Sequence, residues 1–454
     1  MKVLWICNVM LPMAAEYLGQ EAGNKEGWLT GLAETILQNR ASNEIELAVA
    51  FPVEAALPES RFEIGVQQQT GLQRTGAGDM AGRLICYSFV EDTGHPEVYK
   101  REPEVQLQQI AADFQPDVIH CFGTEYPHTL AAVRALDREK LLIGIQGVCK
   151  YCAEVYPADL PDTVVQRMTL RDRLRKDSIL QQREKYVKRS VHEEAALKSV
   201  MHVTGRTRMD KDYAYACNPQ VQYHFMNETL RANFYEGQWS LENCEKHSIF
   251  LSQGDYPLKG LHYVLKAMPM ILKAYPDAKL YVAGNPIVRQ KNLKGRLKLS
   301  SYGKYIMELL EQHALEDKVV FLGKMTAAQM KERYLKSNVF LCASALENSP
   351  NSLGEGMLLG MPCVSALVGG VPDIFVPGED GITYPGFGAK EYVKEADKEQ
   401  AQAERLAQAV CEMWADEKRM CEYGQTAAAH AKITHDRQTN YGRLVEIYKE
   451  IAGN

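Results

Sequence analysis

Residues 338–373 read NVFLCASALENSPNSLGEGMLLGMPCVSALVGGVPD, and the order of elements in this stretch indicates the fold. An apolar run at 338–343 is followed by a polar loop, a segment of helical length and a second apolar run near 362–366. This order of strand, helix and strand predicts a βαβ unit with two parallel strands. Helices cover both faces of such a sheet, which explains why the runs are apolar without alternation.

The same pattern extends over most of the chain and predicts two separate parallel sheets. The first series of candidate strands comprises 2–9, 44–51, 84–89, 117–121, 140–145 and 200–204, with an amphipathic helix at 24–38. The second series comprises 248–253, 278–284, 318–323, 338–343 and 362–366. A polar stretch at 226–247 separates them and is interpreted as the linker. After about residue 398 only helices are predicted, the last near 438–451.

The predicted architecture is therefore α/β, with two Rossmann-like, doubly wound domains. In open sheets of this kind, ligands bind at the carboxyl ends of the strands, so two such domains facing each other predict a ligand cleft. The loops that follow strands are where functional residues are expected.

Composition limits the classes of function. The 454 residues are 46% hydrophobic and 24% charged, which is typical of a globular protein. The net charge of -6 argues against a nucleic-acid partner, since such proteins carry strongly basic surfaces. Eleven cysteines without regular spacing favour a reducing cytoplasm over a disulfide framework. We find no apolar stretch of about 18 residues or more, so no membrane span is predicted.

Two glutamates follow the strand at 338–343. Glu347 lies in the loop, and Glu355 lies eight positions later in the first turns of the next helix. A loop and a helix N-terminus can place both carboxylates and several amide N–H groups on one wall, where they would suit vicinal hydroxyls and phosphate. The alternative is that Glu355 only complements its helix dipole while Glu347 is solvated, and spacing does not decide between the two.

Two further segments stand after predicted strands. Gly369-Gly370 allows a close approach of backbone to ligand, although a tight turn is the plain alternative. Lys259 begins a helix after the strand that ends near Gln253. A lysine at that place can bind phosphate, although a solvated lysine at a helix start is more common.

Taken together, these pieces resemble the retaining glycosyltransferases of family 4, which have the GT-B fold. The resemblance covers essentially the whole chain. It rests on the lysine-glycine after the strand at 248–253, the glutamate pair, and GMPCVSALVGGVPD. In the first half it rests on NKEGWLTGLAETI, DVIHCFGTEYPHTLA, HVTGRTRMD and FMNETLR.

The resemblance implies domain boundaries and roles for individual residues. Residues 1–235 would form the acceptor-binding domain, 245–435 the nucleotide-sugar domain, and 436–454 a helix that crosses back to the first domain. Glu347, Lys259 and His120 would be catalytic. The donor would contact Gln253, Lys259, Glu347, Asn351, Ser352, Leu353, Glu355, Arg206, Gly369 and Gly370. The acceptor side would include Gly23, Gly27, Lys150 and Tyr151.

Within this scheme, Glu355 would bind the donor ribose and Glu347 the hydroxyls of the transferred sugar. Lys259 would hold the diphosphate and stabilise its developing charge. No separate catalytic base is expected, because in a retaining front-face reaction the leaving phosphate oxygen takes the acceptor proton. We find no sequence pattern for a metal site, so no metal or other cofactor is expected.

The chain departs from the family pattern at three places. Gln253 stands where an arginine is usual, Phe122 where many members have a second histidine, and Asn348-Ser349-Pro350 where many have glycine-phenylalanine-glycine. Arg206 is a candidate to replace the missing charge, although a surface or helix-start arginine is the alternative.

The function implied is transfer of a sugar from a nucleoside diphosphate donor to a hydroxyl of a glycan or lipid-linked acceptor. A UDP-sugar is favoured and a GDP-sugar is the alternative. Two other functions remain open: a nucleotide-sugar epimerase or hydrolase of the same fold, and an inactive donor-binding partner subunit.

A basic segment indicates where in the cell the protein acts. Residues 166–189 carry nine Lys or Arg and three Asp or Glu, a local charge of +6. Basic residues beside an anionic leaflet attract a protein to it. We therefore expect a cytoplasmic protein with a peripheral contact to the inner membrane face, against the alternatives of a solvated helix or a loop that closes over the acceptor.

Overall fold

A computed structural model describes residues 1–20, 27–39, 45–65, 83–288, 298–389 and 397–453. The chain divides into two compact units. The first contains Met1–Cys149, Lys188–Arg231 and His435–Asn454, and the second contains Lys150–Val187 and Ala232–Thr434. The first unit thus includes both chain ends. Residues 150–187, which we expected in the N-terminal domain, have their contacts with the second unit.

An eight-stranded sheet forms the centre of the first unit within the described residues, in the order β3-β4-β2-β1-β5-β6-β7-β8. Every neighbouring pair is parallel except the edge pair of β3 and β4. Its strands are β1 Lys2–Ile6, β2 Glu46–Val53, β3 Arg61–Gly65, β4 Arg83–Val90, β5 Val118–Phe122, β6 Leu141–Gly144, β7 His202–Gly205 and β8 Gln222–Phe225.

The second unit contains an entirely parallel six-stranded sheet among the described residues, in the order β11-β10-β9-β12-β13-β14. The order reverses between β9 and β12, which is where α/β sheets place ligands. Its strands are β9 Glu245–Leu251, β10 Lys279–Ala283, β11 Val319–Gly323, β12 Ser337–Cys342, β13 Cys363–Leu367 and β14 Gly381–Pro385.

Helices cover the sheets and are numbered along the chain. The earlier ones are α1 Pro12–Tyr17, α2 Gly27–Gln38, α3 Glu102–Phe114, α4 Pro127–Ala135, α5 Cys149–Val155, α6 Asp162–Val165, α7 Leu170–Arg175, α8 Ile179–Leu197 and α9 Arg208–Cys217. The later ones are α10 Leu261–Ala274, α11 Ser301–Gln312, α12 Ala327–Lys336, α13 Asn351–Leu358, α14 Lys398–Ala415, α15 Glu417–Thr434 and α16 Arg437–Ala452. Among the described residues, no helix is both long and apolar enough to span a bilayer.

The final helix, α16, packs into the core of the first unit. Its Tyr441, Leu444 and Tyr448 are buried together with β1 and α2. The Trp5 indole donates a hydrogen bond to the Tyr448 hydroxyl at 2.9 Å, which satisfies both polar atoms of this aromatic core. The prediction of an α/β fold with two parallel sheets and a final helix that returns to the first domain is confirmed.

Three strands were missed by the sequence prediction. β3 lies at the edge of its sheet, where half-exposed positions weaken the apolar signal. β8 and β14 are four and five residues long and contain polar side chains. The stretch 226–247, interpreted as a linker, contains a 3-10 turn at Ala232–Tyr235 and the beginning of β9.

Candidate functional site

The second unit brings Lys259 and Glu347 together at the carboxyl edge of its sheet. Lys259 ends a 3-10 turn, Pro257–Lys259, that follows β9, and Glu347 follows β12. Because β9 and β12 are neighbouring parallel strands, both loops leave the sheet at the same edge. The Lys259 Nζ lies 2.5 Å from Glu347 Oε1, and Ser344 Oγ donates to the same oxygen at 2.6 Å. The glutamate is therefore held by two donors.

The Lys259 ammonium is a fixed positive charge. Burial by itself would lower its pKa, but the adjacent Glu347 carboxylate outweighs burial and raises the pKa well above the ordinary value. The side chains of Lys259 and Glu347 retain 20% and 12% exposure. A charged, largely buried and still accessible ammonium is suited to bind an anionic group such as phosphate.

Gly260 makes this placement possible. Its φ is 72°, and a Cβ at this position would lie 2.0 Å from the carbonyl oxygen of Ala343. The turn packs against the end of β12, where Ala345 N–H donates to the Leu258 carbonyl at 2.8 Å. Only glycine fits both the left-handed backbone and the close contact.

The N-terminus of α13 follows the Glu347 loop directly. α13 begins at Asn351, whose side-chain oxygen is buried without a hydrogen-bond partner among the described residues. Leu353 is fully buried, and its N–H donates to the Pro350 carbonyl at 2.9 Å, so this amide is already used. The amides of Asn351 and Ser352 precede that bond in the first turn, which is where helices bind anions.

Glu355 lies one turn further along α13 and is only 3% exposed. The alternative in which Glu347 is solvated is wrong, because the Glu347 side chain is 12% exposed and bonded to Lys259 and Ser344. On the same helix, a Cβ at Gly356 would lie 3.4 Å from both Cys363 and Tyr334, so α13 packs closely on the sheet.

The Gly369-Gly370 turn is tied to the Glu347 loop. Gly370 N–H donates to the Glu347 carbonyl at 3.0 Å, and Gly369 has a φ of 51°. A 3-10 turn, Val371–Asp373, follows. The turn therefore combines both readings of the sequence: it is a tight turn, and it lies beside a candidate ligand residue.

Gln253 lies after β9 beside a carboxylate that the sequence analysis did not single out. A Cβ at Gly284 would contact both the Gln253 side chain at 3.6 Å and Asp255 Oδ1 at 3.2 Å. Asn285 Nδ2 donates to Asp255 at 2.5 Å. The position at which the resemblance led us to expect an arginine thus carries a neutral amide and, close by, an acidic side chain.

The first unit contains a pocket of its own around the ends of β5, β6 and β7. Its walls include Trp28, His120, Phe122, Gln146, Arg206 and Glu228. Sequence reasoning had proposed His120 and Arg206 but missed Gln146 and Glu228. The signal that could have found Gln146 is its position directly after a buried strand, where ligand residues are expected.

His120 is held as a neutral donor that faces this pocket. The Tyr448 hydroxyl accepts the Trp5 N–H, so its own proton is available to His120 Nδ1, 2.8 Å away. This assigns the ring proton to Nε2, which is buried without a hydrogen-bond partner among the described residues. Burial lowers the pKa of His120 to about 3. The Phe122 ring stacks on the imidazole at 3.8 Å.

Arg206 is not an isolated charge. Its Nη2 lies 2.8 Å from Glu228 Oε1, and its Nη1 donates to the Ile145 carbonyl at 3.3 Å. The two side chains are 9% and 1% exposed. Glu228 therefore neutralises the charge with which Arg206 was expected to replace the missing arginine, and the surface alternative for Arg206 is wrong.

The described acceptor-side residues belong to different units. Gly23 lies outside the described residues. Gly27 begins α2 in the first unit, where a Cβ would collide with the Arg231 side chain. Lys150 and Tyr151 lie in α5 and are grouped with the second unit. Within the described part of the chain, no group of three or more His, Cys, Asp or Glu could hold a metal ion.

Sequence comparison relates the second unit to glycosyltransferases. Residues 238–428 match the family model described as Glycosyl transferases group 1. An uncharacterised glycosyltransferase of Methanocaldococcus jannaschii is 31% identical over 146 residues, 32% of this chain and 33% of that protein. N-acetyl-alpha-D-glucosaminyl L-malate synthase of Bacillus anthracis is 29% identical over 125 residues, 26% of this chain and 32% of that protein. The chain thus matches about a third of the length of these curated relatives.

Structural comparison extends over the whole chain. Sucrose-phosphate synthase from Thermosynechococcus elongatus superposes with a TM-score of 0.67 at 15% identity and covers 99% of both chains. Anabaena HepE, solved with UDP-glucose, superposes with a TM-score of 0.61 at 14% identity and covers 99% of this chain and 100% of that one. The chain therefore has the GT-B fold of glycosyltransferases, and residues 238–428 correspond to a glycosyl transferases group 1 domain.

Proposed function

We propose that the protein transfers a sugar from a nucleoside diphosphate donor to a hydroxyl of an acceptor, with retention of the anomeric configuration. The observation that carries the proposal is the Lys259–Glu347 pair, joined at 2.5 Å beside the first turn of α13. It combines a fixed positive charge, a carboxylate and backbone amides at the carboxyl edge of one sheet. A sugar nucleotide offers the matching groups: phosphates, vicinal hydroxyls and a ribose.

Each group of the second unit has a distinct role in this proposal. Lys259 binds the diphosphate and stabilises the negative charge that grows on it as the glycosidic bond breaks. Glu347, oriented by Ser344, accepts hydrogen bonds from hydroxyls of the transferred sugar. Glu355 accepts from the ribose diol, and the amides of Asn351 and Ser352 support the nucleotide. The reaction then needs positioning and electrostatics, and the leaving phosphate oxygen takes the acceptor proton.

The donor proposed is a UDP-sugar, with a GDP-sugar as the alternative. UDP is favoured because the structural neighbour HepE was solved with UDP and with UDP-glucose. The acceptor proposed is a hydroxyl of a glycan or of a lipid-linked saccharide, reached from the cytoplasmic side. No metal is required in this scheme, because Lys259 supplies the charge that a divalent ion would otherwise supply.

Product analysis with a panel of UDP- and GDP-sugars tests the proposal. We expect one donor to be consumed and NMR of the product to show the donor's anomeric configuration, with the rate unchanged by EDTA. Inverted configuration would overturn the retaining mechanism. An altered donor sugar or free sugar alone would favour the epimerase or hydrolase. Tight donor binding without turnover would favour the inactive partner subunit, for which Gln253 and Phe122 are the sequence hints.

The role of Lys259 can be tested against a matched lysine. Lys259→Met should lower kcat about 100-fold, the effect of removing one preorganised charge from the leaving group. Lys266→Met is the control, because Lys266 is also largely buried in the second unit and pairs with Glu399 at 2.6 Å. Steady-state rates and thermal melts of both variants separate catalysis from stability. Equal loss of kcat in the two variants would contradict the assignment.

A further inference from the structure

The basic segment contains a compact exposed surface on and around α7, which we name the α7 patch. It consists of three apolar side chains, Met168, Leu170 and Leu174, that are 45%, 56% and 78% exposed. Three exposed basic residues accompany them: Arg173, Arg175 and Lys176. Large apolar side chains with such exposure in a group usually mark an interaction site.

The helical spacing explains how both kinds of side chain reach solvent. Leu170, Arg173 and Leu174 are three and four positions apart, so they share one face of α7. Asp172 lies on the opposite face and is fully buried. The leucines are therefore directed outward by the same helix that buries its aspartate.

Buried hydrogen bonds hold α7 in this orientation. The Asp172 carboxylate accepts from the Thr169 N–H and from the Ser301 N–H, at 3.2 and 2.9 Å. The Thr169 hydroxyl donates to the Leu299 carbonyl at 2.9 Å. These bonds fix α7 to α11 of the same unit, so exposure of the leucines is a property of the fold.

The structure also divides the five basic residues of 166–176 into two groups. Arg167 pairs with Glu308 at 2.8 Å, and Arg171 pairs with Asp172 and Asp177 at 3.2 and 2.8 Å. These arginines stabilise the fold. The second group is formed by Arg173, Arg175 and Lys176 of the α7 patch, whose side chains are exposed around the apolar ones.

We propose that the α7 patch binds the surface of an anionic lipid bilayer, with its leucines and methionine in the headgroup boundary and its basic side chains on lipid phosphates. A short helix that presents two leucines and an arginine on one face, with further basic side chains exposed at its C-terminal end, is suited to lie in the plane of such a surface. A nucleic acid would not require the exposed leucines, and a protein partner would not require a cluster of one charge sign. The contact goes beyond the proposed sugar transfer and does not depend on it.

Cosedimentation of the full chain with vesicles tests this contact without any donor. The vesicles contain phosphatidylcholine with increasing phosphatidylglycerol, at about 0.1 and 0.5 M salt, because screening weakens exposed charges. Binding should rise with anionic lipid and fall with salt. Each basic residue beside an anionic leaflet is worth about fivefold in the partition coefficient. Arg173→Glu, Arg175→Glu and Lys176→Glu combined should therefore reduce partitioning at least 100-fold.

Matched variants show whether the apolar side chains take part. Leu170→Ser with Leu174→Ser should reduce partitioning at least tenfold, because two apolar insertions are lost. Ile433→Ser is the control, since Ile433 is 76% exposed on α15 of the same unit. Lys418→Glu controls for charge, as the Lys418 side chain is 88% exposed. The melting temperature and the far-UV circular dichroism of every variant report folding and should remain as in the wild type.

Specific outcomes would overturn the proposal. The first is an absence of binding to anionic vesicles at low salt, and the second is an equal loss of partitioning in the control variants. The third is a chain that self-associates and becomes monomeric only in the leucine variant, which would identify a second copy of the chain as the occupant. Failure of these experiments would leave sugar transfer intact, because transfer is scored separately with a soluble acceptor.

Discussion

Lys259, Gly260 and Glu347 show how single residues set the geometry of the candidate site. Gly260 allows the turn after β9 to lie against Ala343, and this contact carries Lys259 to the carboxylate of Glu347. The glycine therefore follows the lysine for a structural reason, because the turn that Gly260 allows positions Lys259. From sequence each residue was expected after a strand, and the resemblance gave both a donor role. Their direct contact and Ser344 as a second donor to Glu347 were not predicted.

Arg206 and Glu228 lead to a prediction about a buried ion pair. Arg206→Met leaves the Glu228 carboxylate, 1% exposed, without its guanidinium partner. Breaking such a pair costs about 3–5 kcal/mol, so the melting temperature should fall clearly. Arg206→Met combined with Glu228→Gln removes both charges and should recover much of that loss. Thermal melts of the four proteins in this double-mutant cycle measure the coupling.

The same four proteins test whether Arg206 also replaces the missing arginine at the diphosphate. Because Glu228 neutralises its charge, we expect the ratio of UDP to uridine affinity to stay the same in the double variant. Calorimetric titration with both ligands measures that ratio. A loss confined to UDP would show that Arg206 contacts the phosphates and would restore the role expected from sequence.

The final helix, α16, supplies the Tyr448 hydroxyl that bonds to His120, a residue more than 300 positions earlier in the chain. Tyr448 links the Trp5 indole to His120 and so selects the tautomer with the proton on Nε2. His120 thus depends on a helix at the other end of the chain. This makes Tyr448 a positioning residue.

Tyr448→Phe tests this dependence. The variant removes the donor to His120 Nδ1, so the imidazole loses its preference for the Nε2–H tautomer. We expect kcat to fall up to about tenfold, the effect of losing one hydrogen bond worth about 1 kcal/mol, while UDP affinity is unchanged. The ¹⁵N shifts of His120 should report an Nε2 proton in the wild type and a mixture of tautomers in the variant. An Nδ1 proton in the wild type would contradict the assignment.

The short helix α7 shows that not every charged residue of a basic segment is available to a binding partner. By sequence, Arg171 is one of nine equivalent basic residues of the segment. In the structure it pairs with Asp172 and Asp177. A charge-reversal test of membrane binding at Arg171 would therefore disturb the fold, and Arg173, Arg175 and Lys176 are the informative positions.

Across the molecule, buried histidines predict the response of stability to pH. Burial lowers the pKa of His120 in the first unit and of His262 in the second to about 3. Below pH 6.5 the unfolded chain binds protons that the native histidines do not, so stability falls as pH falls. Glu193 acts in the opposite direction, because burial raises its pKa to about 7. Among the described residues, six histidines have a lowered pKa and four carboxyls a raised one, so the free energy of unfolding should decrease from pH 6.5 to 5.

Denaturant unfolding at a series of pH values measures this slope. His262→Gln is the informative variant, because the His262 imidazole is fully buried and bonds to the Ala158 carbonyl and the Tyr302 hydroxyl of its own unit. Its removal should decrease the acid-side slope by about 1.4 kcal/mol per pH unit. An unchanged slope would mean that His262 is protonated in the native state.

The sequence alone determined the α/β class, the central strands of both sheets and several of the residues at their strand ends. These features depend on patterns within a few residues: apolar runs for parallel strands, helical spacing for covering helices, and glycine where a turn needs it. Lys259 and Glu347 could each be placed after a strand for this reason, whereas the structure showed that the two strands, β9 and β12, are neighbours.

The tertiary structure decided which distant residues meet and what each charge contacts. Tyr448 with His120, Glu228 with Arg206, and Asp172 with Ser301 are pairs without a local signal. The grouping of residues 150–187 with the second unit is of the same kind. Local periodicity records only that a side chain is buried. Its partner, and therefore its tautomer, its net charge and its availability to a ligand, is set by the packing of elements far apart in the chain.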